Sequence, residues 1–174
     1  NGLDWTDRFP SLAEQAAAWP DAVIDGELCA LDGDHMPDFS ALQTAISEGK
    51  TDDLIYFAFD LLFEGGEDLR ALPLSHRKAR LQAYVDRVAK SGPNLRFVDH
   101  FASSGEAVLK SACRMDLEGV ISKKLDAPYA AGRSSIWVKS KCLGRDEVVI
   151  GGWSSEGGSR FRSLLVGVKD KDGL

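Results

Sequence analysis

Residues 54–63 read LIYFAFDLLF, a run interrupted only by Asp60 and closed by Gly65-Gly66. Ten residues are short for a buried helix, and the run is rich in aromatics, so it is expected to form a mostly buried strand. The segments around it alternate in type. Upstream, Val23 to Leu31 (VIDGELCAL) alternates well enough for a strand ending at the turn Asp32-Gly33-Asp34. Two S-x-x-E/Q patterns, Ser11 to Glu14 and Ser40 to Gln43, predict helices that stop at Pro20 and near Gly49. Downstream, Ser75 is expected to cap a longer helix with Leu81, Tyr84, Val85 and Val88 on one face. Leu95 to His100 reads as a short strand, and Ser104 opens a further helix to about Met115. From there on only strand-like runs remain, at 118–125, 136–142, 148–153 and 164–168. Strands interleaved with helices and followed by strands alone predict an α+β domain over 1–143, with a separate β unit beginning at 144–174.

Composition narrows the function classes. With 174 residues, 44% of them hydrophobic, the chain can bury a core, and no apolar run reaches the length of a membrane span. Three cysteines outside any CxxC or Cys/His cluster point to a reducing, cytoplasmic setting without structural zinc. The net charge of −6 conceals a split: residues 1–109 carry −10 and residues 110–146 carry +4. A basic stretch suits an anionic ligand or a nucleic-acid backbone, although on charge alone a solvated face is the simpler account.

Chemistry enters through strand periodicity. In a strand, Asp25 and Glu27 share a face, so two carboxylates line one surface suited to a cation or a donor-rich ligand, or simply an exposed edge. The same rule puts Trp137, Lys139 and Lys141 together, with successive lysines about 6 to 7 Å apart. Such a pair repels itself until an anion arrives; a wet strand face is the alternative. Glu118-Gly-Val-Ile-Ser-Lys-Lys124 adds a carboxylate at a strand entry and two more cations. Gly132-Arg133 suits close approach to an anionic oxygen. Phe57 and Phe59 fall on the face of Ile55 and Leu61, where most would be core and one could stack on a base. His35, His76 and His100 are scattered and receive no role.

The order of these segments is more specific than any one of them. VIDGEL, YFAFDLL, EGVISKK and WVKSKC, in that sequence, resemble motifs III, IIIa, IV and V of the nucleotidyltransferase domain of ATP-dependent DNA ligases. The opening NGLDWTDRFPSL resembles bacterial ligases of non-homologous end joining, and VVIGGW with LLVGV resembles the first strands of an OB-fold. The resemblance implies an antiparallel-sheet nucleotidyltransferase domain lacking its N-terminal part. It also implies roles: Glu27 on the ribose hydroxyls, Phe59 on adenine, and Glu118 as a ligand for Mg2+ or Mn2+. Lys139 and Lys141 would contact the α-phosphate of ATP, with Arg133 as a further phosphate contact. Asp25, Asp60 and Trp137 fall within the motifs with structural roles open to them. The implied substrate is nicked or broken double-stranded DNA in a bacterial, nucleoid-associated repair setting, with Ku as a candidate partner and no membrane.

That family begins with a nucleophilic lysine in K-x-D-G, whereas the first lysine here is Lys50. The motif is therefore expected upstream of Asn1, and this chain alone is expected not to form the covalent adenylate. Lys169-Asp-Lys171-Asp-Gly173 has the wrong spacing and reads as a hairpin turn. The competing expectations are an RNA ligase or capping-type nucleotidyltransferase, and a non-catalytic nucleic-acid-binding module of similar shape.

Overall fold

The computed structural model describes residues 2–115, 117–132, 134–142, 148–155 and 161–168. The turn after VIDGELCAL and the two-glycine stop after LIYFAFDLLF act as the sequence predicts. They delimit β1 (Ala22–Cys29) and β2 (Ile55–Glu64), which pair antiparallel. The short β3 (Glu67–Asp68) continues the sheet antiparallel, while β4 (Leu95–Phe97) joins β2 in parallel, a departure from a purely antiparallel sheet. The long helix α3 (Leu74–Val88) covers one face, burying Leu81, Tyr84, Val85 and Val88 against Ala58 and Leu61 of β2. Fully burying an aliphatic or aromatic side chain stabilises the fold by about 1.5–3 kcal/mol, so this seam supplies much of the core, and Leu81→Ala would cost roughly 2–5 kcal/mol.

The shorter helices α1 (Pro10–Ala17), α2 (Phe39–Glu48) and α4 (Gly105–Arg114) start differently from one another. Ser104 caps α4 by accepting from the Ala107 N–H at 3.2 Å, as expected. Ser11 and Ser40 do not cap. Pro10 fills the first turn of α1 while the Ser11 hydroxyl donates to Asp52, and Asp38 caps α2 through the Ala41 N–H at 2.9 Å. Nor does Ser75 cap α3, which begins after Pro73. Gly49, at φ 69°, does close α2.

Two further hairpins follow. β5 (Gly119–Lys123) pairs antiparallel with β6 (Trp137–Lys141), and β7 (Val149–Ser155) with β8 (Phe161–Gly167). The second leaves Ile150, Trp153 and Leu165 exposed. The cysteine count argued for a reducing setting, yet Cys113, at the end of α4, and Cys142, after β6, are joined by a disulfide with Cα atoms 5.4 Å apart. Cys29 remains free. Among the described residues no helix is long and apolar enough to cross a membrane.

Candidate functional site

The β5–β6 register sets Gly119, Ile121 and Lys123 opposite Lys141, Lys139 and Trp137. One face of the hairpin therefore carries Lys123, Trp137, Lys139 and Lys141, as the two-residue period requires. Glu118 stands at its open end, where its carbonyl accepts the Cys142 N–H at 2.8 Å. Its Oε1 lies 3.0 Å from Lys139 Nζ and 3.1 Å from Lys141 Nζ. Those hydrogen bonds, from Lys139 first and then Lys141, hold the Glu118 carboxyl below its usual range. A Cβ at Gly119 would collide with the Ser140 carbonyl, so the glycine of EGV is what lets the two strands close beside the carboxylate.

The glycine of VIDGEL has the same kind of reason. A Cβ at Gly26 would sit 2.5 Å from the Phe57 carbonyl oxygen and 2.7 Å from the Tyr56 ring, whose hydroxyl donates to the Ile24 carbonyl at 3.0 Å. Next to it the β1–β2 register slips. Asp25 faces Asp60 and Gly26 faces Ala58, so Phe59 has no partner and forms a bulge. A bulge re-aims side chains, which is why Ala58 and Leu61 both reach the core while Phe59 is only half-buried. The expectation that Phe59 and Leu61 share a face fails for this reason.

Lys123 links the two parts. Its ammonium lies 5.4 Å from the Phe59 ring centroid and 4.0 Å from that of Trp137. Burial lowers its pKa, opposed by Asp60 and Asp25. Trp137 meets Tyr129 edge to face at 5.7 Å, and the Tyr129 hydroxyl lies 3.4 Å from Asp25 Oδ2. Burial, with Asp25 nearby, pushes the Tyr129 hydroxyl's pKa up. Phe59, Lys123 and Lys78 of α3 also line a cleft of about 600 Å³.

The structure thus brings Glu118, Lys139 and Lys141 together and joins Phe59 to the same hairpin face through Lys123. Glu27 is exposed opposite Phe57 and makes no hydrogen bond or ion pair with these groups. Arg133 and the 169–173 segment lie outside the described residues, as does the boundary at 143–144. Asp60 is wholly buried and held by Arg77 through two bonds of 2.8 Å, a structural pairing. Sequence reasoning missed Arg77 and Lys78. Their signal was two adjacent cations on the apolar stripe of α3, three and four residues before Leu81, where a buried charge must find partners.

Mixed helices and mainly antiparallel sheets carrying this hairpin define a nucleotidyltransferase domain of the DNA ligase type. The chain superposes on mycobacterial DNA ligase D complexed with ATP and MES with a TM-score of 0.70 and 32% identity, covering 99% of this chain and 55% of that one. For the ligase domain from M. tuberculosis LigD the values are 0.67, 34%, 99% and 55%. The chain belongs to the ATP dependent DNA ligase domain family, whose model matches residues 1–141. The multifunctional non-homologous end joining protein LigD of Pseudomonas aeruginosa is 41% identical over 99% of the chain. The LigD of Mycolicibacterium smegmatis is 34% identical over 99%. The chain spans about a fifth of the length of these relatives, 21% and 22%.

Proposed function

We propose that this chain is the nucleotide-handling part of a DNA ligase that seals nicks or breaks in duplex DNA during end-joining repair. The observation that carries the reading is the exposed Glu118 carboxylate shared by Lys139 and Lys141, on the hairpin face whose Lys123 reaches Phe59. From the aromatic end at Lys123 and Trp137, Lys139 is one pleat away and Lys141 two, about 6 to 7 Å per step. That order suits a base against Phe59 and phosphates at the two ammoniums. Glu27, next to Gly26 on β1 and opposite Phe57, would take the ribose hydroxyls, and Arg133 would add a phosphate contact.

Without a nucleotide the two ammoniums are satisfied by Glu118. The triphosphate as a whole carries more negative charge than one carboxylate and would draw them away, placing them to stabilise charge that grows on phosphoryl oxygens during transfer. The amine of an upstream lysine would attack the α-phosphorus, with pyrophosphate leaving. The AMP would then pass to the 5′-phosphate of the nick and be displaced by the 3′-hydroxyl.

Glu118 also fits a divalent ion. Among the described residues no group of three or more His, Cys, Asp or Glu could hold one, and both lysines use the same Glu118 oxygen. One carboxylate together with waters and substrate phosphates is a usual set for Mg2+, and Mn2+ would accept the same donors. Such an ion supplies Lewis-acid stabilisation of phosphoryl oxygens when bound.

The β7–β8 hairpin, with its exposed apolar residues, fits the opening strands of an OB-fold. The rest of the reading is a bacterial, cytoplasmic, nucleoid-associated enzyme able to work with Ku. Its test is incubation of the full-length protein with α-labelled ATP or GTP and Mg2+ or Mn2+, followed by nicked duplex. Covalent label from ATP that is discharged with sealing of the nick is expected. Labelling by GTP alone would favour a capping-type enzyme, and no label at all would favour a non-catalytic module.

A further inference from the structure

The β2–β4 ladder stops where β2 bulges. Its pairing ends at Ala58↔Phe97, and the Val98 N–H donates to the Ala58 carbonyl at 3.0 Å. The next carbonyls along the two strands are those of Phe59 and Val98. Neither continues the ladder, because the slip at Phe59 has changed the direction in which β2 presents its backbone. Both point to one group, the Lys78 ammonium, which donates to the Val98 carbonyl at 2.5 Å and lies 3.4 Å from the Phe59 carbonyl. Its stem is buried in α3, and Nζ sits 4.4 Å from the Phe97 ring centroid. The residue is 7% exposed.

A lysine buried on the apolar stripe of a helix is costly unless its ammonium is satisfied, and it is satisfied here by the Val98 carbonyl, with the carbonyl of the bulged Phe59 as a longer second contact. We infer that Lys78 is a positioning residue for nucleotide binding: it holds the bulge that aims Phe59 and thereby sets the stacking surface for the base. The inference rests on the reading that Phe59 stacks on the nucleotide base. Lys78 needs no contact with nucleotide for this role. Arg77, its neighbour in the chain, is committed elsewhere, to Asp60 and to the Leu72 and Ala127 carbonyls. Lys123 reaches the Phe59 ring from the opposite strand pair, so the ring is set from its backbone by Lys78 and from its side by Lys123.

The experiment is a double-mutant cycle on adenylylation by the full-length protein, following half-saturating ATP and plateau rate separately for Lys78→Met, Phe59→Ala and the pair. Phe59→Ala should raise half-saturating ATP by roughly 5- to 100-fold, the range for removing one base–aromatic stack. Lys78→Met should raise it by about 3- to 10-fold, a part of that loss, with the plateau rate changed by less than about 3-fold. The double variant should be no worse than Phe59→Ala alone, because a misaimed ring and a missing ring forfeit the same contact. Lys78→Arg, which keeps a cation and donors, should recover most of the affinity. Should Lys78→Met not fold, Lys78→Gln, which keeps an N–H donor, carries the same cycle. Wild-type affinity in the Lys78 variant beside a weakened Phe59→Ala would overturn the inference, as would additive losses in the pair. Unchanged affinity in Phe59→Ala would instead overturn the stacking reading beneath it.

Discussion

The Asp60 and Arg77 side chains are both 0% exposed, whereas Glu118 is 68% exposed and its partners Lys139 and Lys141 are 52% and 62% exposed. The contact lengths are close, 2.8 Å in the first case and 3.0 and 3.1 Å in the second. Burial makes them opposite in consequence. Removing one member of a buried pair strands a charge in a poor solvent and costs about 3–5 kcal/mol, while an exposed pair contributes about 0–1 kcal/mol. Two lysines one pleat apart also repel each other by roughly 0.6 kcal/mol even in water. The hairpin cluster therefore does almost nothing for the fold. On the proposed reading its three charges await a ligand, whereas the buried pair joins α3 to β2 beside the apolar seam.

The contrast is tested most severely in the hairpin. Lys139→Ala or Glu118→Ala in the full-length protein should reduce adenylylation by about 10²–10³-fold, with unfolding free energy changed by less than about 1 kcal/mol. Single-turnover labelling and urea melts of the same samples check both halves. Near-normal labelling would break the comparison on the functional side.

Arg77→Met should show the opposite pattern, losing about 3–5 kcal/mol in urea melts because Asp60 is left buried and alone. Adding Asp60→Leu should recover much of that loss. A small effect of the single change would mean that the buried pair is not structural.

The Cys113–Cys142 disulfide closes a loop containing the whole hairpin, with a sequence separation of 29. Chain entropy assigns such a loop about 3 to 4 kcal/mol, so Cys113→Ser or reductant should lower stability by up to that amount. Of the three cysteines of this chain, thiol alkylation of the folded, oxidised protein should label only Cys29.

The smallest effect belongs to Glu64, whose carboxyl is held below its ordinary 4.5 chiefly by the Arg87 and Arg80 hydrogen bonds, against desolvation. A depressed folded pKa contributes stability that is complete above pH 4.5 and is lost as the pH falls through the lower folded value. Arg87→Ala should reduce that acid-side loss by less than about 1 kcal/mol, read from urea melts across pH 2.5 to 6.

Much of this contrast was legible in the residues themselves. The two-residue period put Trp137, Lys139 and Lys141 on one face, and the apolar spacing of α3 identified Leu81, Tyr84, Val85 and Val88 as core. What failed depended on contacts between distant segments. Ser11 has the spelling of a cap, but its hydroxyl is taken by Asp52, forty-one residues away. The bulge at Phe59 arises only when β1 pairs with β2, so strict alternation put the ring on the wrong face. Spacing could not pair Cys113 with Cys142, and the cations on the stripe of α3 made sense only once Asp60 and the carbonyls of Phe59 and Val98 were seen around them.

The central claim is that one nucleotide lies across both parts of the molecule. A crystal structure of the full-length protein with ATP measures this directly. The base should rest on Phe59, with the α-phosphate within hydrogen-bond distance of Lys139 and Lys141 and both lysines drawn away from Glu118. A nucleotide bound elsewhere, with the Glu118–Lys139–Lys141 contacts intact, would contradict the account.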